Sequence, residues 1–230
     1  MAEGAIFLNS GPLLNGDKLE LLEETPEWSQ DGPIRDAYER IRETFEKHAT
    51  LLAGRPSAEE TRFYMVNPTL HALGYTYSAY EPLELGGEQV LRVPYVCFAS
   101  GADFAEAVEM RRAIGFFRTA LTLVKAIAWS SDLDGEAGPE EGGEQPVAPA
   151  VDVDYLLRQT GRDYAILTNG CDWRLFHQAT SGHLDTFFQA DMIAAMKTDY
   201  EDFKRFYLLF AKSSFLKDDS GTSFIDRLLQ

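Results

Sequence analysis

Cysteine is scarce in this chain: its 230 residues hold two, Cys97 and Cys171, far apart and outside any C-x-x-C spacing. That pattern argues against a disulfide framework and against a cysteine zinc site. The four histidines, His48, His71, His177 and His183, are scattered at no ligand spacing. A Gly-rich nucleotide loop is missing, since Gly86-Gly87 and Gly142-Gly143 are turn material. Long apolar runs are missing as well. The longest, 116–129, is interrupted by Arg118 and Lys125 and is too short and too charged to span a bilayer. Residues 1–8 carry Glu3 where a secretory leader has a basic region. A reducing cytoplasm is the expected compartment, with no membrane partner.

Basic residues are also in short supply. Lys and Arg number 21 against 37 Asp and Glu, a net charge of −16. Affinity for DNA comes largely from neutralised phosphates, so so acidic a domain is a poor autonomous DNA binder. It meets DNA through a local basic patch, or it meets protein, or its acidity reflects a salt-rich source. What is plentiful is apolar and aromatic material, 45% and 12% of the chain, enough for a sizeable core.

Periodicity predicts an α/β organisation. Residues 1–32 form a lead-in with Ile6-Phe7-Leu8 and Pro26-Glu27-Trp28 as anchors. Ile34, Tyr38, Ile41, Phe45 and Leu52 recur at helical spacing over 33–53. Ser57-Ala58-Glu59-Glu60 reads as a capping box opening a second helix, kinked by Pro68 and stopped by Gly74. Strands follow at 75–85 and 89–98, joined at Gly86-Gly87. A helix is expected at 102–114, a buried strand at 120–129, and a mobile acidic loop at 130–150. Next come helix 151–160, strands 163–168, 172–177 and 183–188, and an aromatic helix at 200–215. Asn169-Gly170 signals a type I′ turn. Phe203, Phe206, Tyr207 and Phe210 read either as core or as an interaction face.

Three segments in order carry a resemblance: Pro94-Tyr95-Val96, then Val124-Lys125-Ala126-Ile127-Ala128-Trp129, then Leu167-Thr168-Asn169-Gly170-Cys171-Asp172-Trp173-Arg174-Leu175-Phe176. Together they resemble the PD-(D/E)xK, restriction-endonuclease-like domain at the N-terminus of restriction–modification and phage-defence DNA methyltransferase proteins. The resemblance covers roughly residues 5–215. It implies an α/β/α core with a mixed sheet of four to five strands, a helical N-terminal extension, a nuclease-like domain over 33–215 and the start of a linker at 216–230. It also implies a parent protein with an S-adenosylmethionine-dependent adenine-N6 methyltransferase, DNA as partner through that parent, and restriction-system subunits as further partners.

The motif itself is degenerate. Such nucleases hold Mg²⁺ between an Asp and a Glu and place a Lys two residues after the Glu. Here Tyr95 stands in the Asp slot, Lys125 in the Glu slot and Ile127 in the Lys slot. A phenol with a pKa of about 10 is a poor magnesium ligand, and a cation repels the metal. Glu60 matches the family's helix acid but also fits the capping box. Asp152 and Leu156 stand where relatives carry Gln-x-x-x-Tyr. The expectation is therefore an inactive nuclease-like module that binds no cofactor of its own, with Lys125 and Arg174 as candidate DNA contacts. Two alternatives stand beside it. One is a Mg²⁺-dependent endonuclease with ligands migrated to Asp103, Glu106, Glu109, Asp132 or Asp134. The other is a module that binds only protein.

Overall fold

A computed structural model describes residues 5–14, 17–84, 90–111, 114–135 and 148–229. Its strands are β1 (Phe7–Ser10), β2 (Thr76–Glu84), β3 (Val90–Phe98), β4 (Ala120–Ala126), β5 (Tyr164–Thr168), β6 (Asp172–His177) and β7 (Phe187–Asp191). Its α-helices are α1 (Asp17–Leu21), α2 (Asp31–Ala53), α3 (Ala58–Thr61), α4 (Asn67–Ala72), α5 (Gly101–Glu109), α6 (Pro149–Thr160), α7 (Met192–Thr198), α8 (Tyr200–Phe210), α9 (Lys212–Phe215) and α10 (Phe224–Leu229). None among the described residues is long and apolar enough to cross a membrane.

The strands form one mixed sheet in the order β1-β7-β6-β5-β4-β3-β2. Neighbours are antiparallel except β4 and β5, which are parallel. A parallel pair needs a crossover, and α6 supplies it. Gly161, at φ +64, closes α6 in the left-handed conformation with its N–H on the Leu157 carbonyl. Helices cover both faces. On the first, β4 sends Val124 and Ala126 into a core shared with α2, α4 and α8. On the second, Leu123 and Ile127 meet Ala107 of α5 and Val153, Leu156 and Leu157 of α6. A central strand buried on both sides reads as an unbroken apolar run, as 120–127 nearly does.

Several expectations need correction. The described sheet has seven strands rather than four to five, and the lead-in, which is not simply helical, supplies one of them. Its β1 pairs with β7 through Phe7↔Ala190 to Ser10↔Phe187, and Leu13, Leu14 and Leu22 are buried in the first core. β7 begins at Phe187 rather than at 183, after a turn in which the Thr186 N–H bonds the His183 carbonyl. Around the kink expected at Pro68 the helix changes type. A π-helical turn, Arg62–Val66, precedes α4, with Pro68 in the first turn of that helix. The wider turn accommodates a residue that lacks an N–H and crowds the carbonyl four positions back. The helix expected at 200–215 breaks at Ala211, because the Lys212 N–H bonds the Leu73 carbonyl instead. Of the acidic loop, 136–147 lie outside the described residues, as does the Gly86-Gly87 turn.

In the segment read as the start of a linker, 216–230, residues 216–221 are exposed and α10 packs on the core. Phe224, Ile225 and Leu228 are buried against it. Asp226 accepts the Tyr164 hydroxyl at 2.5 Å and the Ser223 N–H at 2.8 Å. Burial pushes its carboxyl up, but these hydrogen bonds outweigh burial and hold it below the usual range. A carboxyl with a lowered folded-state pKa contributes stability above its unfolded pKa, and loses it as pH falls through the folded value. Asp226→Asn is therefore expected to cost about 1–2 kcal/mol at neutral pH. It should also flatten the fall in urea midpoint below about pH 4. An unchanged midpoint profile would mean that α10 is not held by this carboxylate.

Candidate functional site

The motif positions fall on the two sides of the sheet. Cross-strand pairing runs Lys125↔Leu167, Leu167↔Arg174 and Arg174↔Gln189. Cross-strand partners share a face, so these four residues form one row on the second face. Lys125 is 5% exposed, and its ammonium meets the Asp152 carboxylate from the first turn of α6. Arg174 is also 5% exposed. Its two terminal nitrogens hold the two oxygens of Asp134 at 2.5 and 2.8 Å, and its Nε donates to Gln189 at 2.5 Å. The guanidinium lies 4.0 Å from the Phe187 ring centroid. Gln189 in turn donates to Asp172 at 2.9 Å. The hydrogen bond from Arg174 lowers the Asp134 carboxyl below its usual range. Both candidate DNA contacts are thus buried and matched by acids.

Tyr95 lies on the other face. It pairs with Val124, one residue before Lys125, and shares the first core with Cys97 and Ala126. Its hydroxyl donates to Asn67 Oδ1 at 2.6 Å, and its ring meets Tyr77 edge-on at 5.2 Å. Burial pushes the phenol far above its ordinary pKa, so it stays neutral. Its face follows from the β3/β4 register. Just before it, Pro94 offers no N–H to the ladder, and Tyr80, between Ala79↔Tyr95 and Glu81↔Val93, is held at φ +58. β3 rotates there: Val93 enters the second core, and Tyr95, two residues on, enters the first.

Ile127 shares the Lys125 face, buried in the second core, with its N–H on the Thr168 carbonyl at 2.9 Å. Glu60 is exposed, and Ser57 donates to its carboxylate from N at 2.8 Å and from Oγ at 2.9 Å. The backbone N–H of Ser57 is the main reason its pKa is lowered. Next to it, Thr61 Oγ1 accepts the Trp129 N–H at 2.8 Å, which docks α3 beyond the end of β4. Glu60 is a helix cap and does not face the Lys125 row. The structure brings Lys125, Ile127 and Arg174 to one face and leaves Tyr95 and Glu60 off it.

A phenol, an ammonium and an isoleucine do not fit a magnesium ion, and the nearest acid, Asp152, is engaged by Lys125. The alternative acids do not gather either. Ser100 caps α5 and donates its hydroxyl to Asp103, and Asp132 accepts the Asp134 N–H. Among the described residues, no three His, Cys, Asp or Glu converge to hold a metal. The arrangement can anchor a helix to a sheet and neutralise buried charge. Sequence reasoning missed Asp134 and Gln189 as partners. Asp152 did carry a signal, because it stands where the resemblance would place a neutral Gln.

The turn between β5 and β6 also differs from expectation. Asn169 is not among the residues with positive φ, so the turn is not type I′. Asn169 Oδ1 instead accepts the N–H groups of Cys171 and Asp172 at 2.9 and 2.7 Å, and its Nδ2 donates to the Ser131 carbonyl at 2.7 Å. Gly170 is required there at φ +86, since a Cβ would lie 2.6 Å from the Trp129 ring. Comparison with protein-family models, with curated proteins and with solved structures finds no match to this chain.

Proposed function

We propose that this chain is a catalytically inactive, nuclease-like module of a cytoplasmic restriction–modification or phage-defence DNA methyltransferase protein, and that it helps to hold DNA or a partner subunit without cutting. The observation that carries this reading is the buried Lys125–Asp152 ion pair. It stands at the strand position where the resembled nucleases place a metal-binding carboxylate. The order of elements supports it as well. A helical segment, the antiparallel meander β2-β3-β4, the crossover α6 and then β5 parallel to β4 follow the sequence expected of a restriction-endonuclease-like core. On this reading the methyl donor, S-adenosylmethionine, and the sequence-specific DNA contacts belong to the parent protein.

Supercoiled plasmid incubated with the purified chain and Mg²⁺ or Mn²⁺ is expected to stay intact. Nicking that requires the metal and disappears in Asp152→Asn would overturn the proposal, because it would make the carboxylate beside Lys125 a working ligand.

A further inference from the structure

Away from the ion-pair row, an exposed surface combines aromatic rings with guanidinium groups. Phe63, in the π-helical turn, is 65% exposed although it is a large apolar side chain. Its ring stands edge-on to Tyr64 at 5.0 Å, and Tyr64 in turn lies 4.9 Å from the His48 ring. Beside them the Arg62 guanidinium sits 5.1 Å from the centroid of Tyr80, which is 42% exposed. Arg92, also exposed, donates to the Tyr80 carbonyl at 3.3 Å.

Two backbone features hold this surface in place. The π-helical turn is a rare geometry that concentrates at functional sites. Tyr80 keeps φ +58, a left-handed conformation that a bulky residue adopts only under constraint from its surroundings. The π-helical turn buries Met65 and Val66 and leaves Phe63 in water, where the hydrophobic effect alone would not leave a large ring.

We infer that this surface binds single-stranded nucleic acid, with bases stacking on Phe63 and Tyr80 and phosphates meeting Arg62 and Arg92. The charge argument is local. In a chain of net charge −16, two arginines flank the exposed rings, and the nearby acid Glu60 is turned back into its capping box. Ring faces accept any unstacked base, whereas a duplex keeps its bases stacked on one another. The inference does not depend on how the Lys125 row is read.

The test is a fluorescence-anisotropy titration of the 230-residue chain with a labelled oligothymidylate of about ten nucleotides, in EDTA. Saturable binding that weakens with salt is expected. Phe63→Ala and Tyr80→Gly should each reduce affinity by about tenfold. Arg62→Gln should reduce affinity and flatten the salt dependence. Glycine relieves the strained φ, so Tyr80→Gly should keep or raise the melting temperature while it loses binding. That combination separates a lost contact from a lost fold. The inference is overturned if the wild-type chain shows no saturable binding. It is equally overturned if Phe63→Ala and Tyr80→Gly bind like wild type, or if a duplex of the same length binds more tightly than the single strand.

Discussion

Lys125→Glu is expected to lower the unfolding free energy by about 3–5 kcal/mol, read as a fall in urea midpoint at unchanged slope. The position is 5% exposed and faces the Asp152 carboxylate, so the substitution buries an unpaired acid and sets it against a second one. Lys125→Met should behave differently. It keeps an unbranched apolar stem and removes the buried charge, while Asp152, 35% exposed, can turn to water. Its stability is expected within about 1 kcal/mol of wild type, since exchanging buried ions for apolar groups is often neutral. Reversing the pair, Lys125→Glu with Asp152→Lys, should recover much of the loss. Should Lys125→Glu prove as stable as wild type, the ion pair is not what fixes α6 to β4. The same variant puts an acid where the resemblance would place a Glu, yet it is not expected to cleave DNA, because Tyr95 lies across the sheet from it.

The second large effect concerns Trp173. Its side chain is fully buried among Phe206, at 5.8 Å and 82°, and Phe210, at 6.0 Å and 71°. Trp173→Ala empties that volume in the middle of the first core and should cost about 3–5 kcal/mol. The indole Nε1 is buried without a hydrogen-bond partner, which is itself unfavourable. Trp173→Phe loses part of the volume but also removes the unpaired donor. Its cost should be the smaller, about 1–2 kcal/mol. Chemical denaturation of both variants checks the order. A phenylalanine variant as unstable as the alanine one would mean that the indole N–H is satisfied in solution.

The aromatic helix illustrates how far the pattern reaches. Phe203, Phe206 and Phe210 recur at helical spacing, which leaves open whether they form core or an interaction face. The structure buries all three against Trp173 and its neighbours. The capping box at Ser57 and Glu60 was legible because it is a contact between residues three apart. The stop at Gly74 was legible for the same reason: it has φ +87, and the Tyr75 N–H closes on the Leu70 carbonyl. The break at Ala211 was not, since it depends on a carbonyl far away in the chain, that of Leu73.

The chain's local chemistry determined its α/β character, the main helices, the strands β2 to β4 and the presence of a phenol, an ammonium and an isoleucine where the resemblance would put a metal-binding set. These follow from hydrophobic period, capping groups and side-chain charge, all encoded within a few residues. Tertiary structure alone decided which face each motif residue occupies, that β1 closes the sheet beside β7, and that Lys125 and Arg174 are neutralised by Asp152 and Asp134. The reason is geometric. A strand's side chains alternate, so the register that sets Tyr95 opposite Val124 is enough to send it away from Lys125, and the partners of buried charges come from segments distant in sequence.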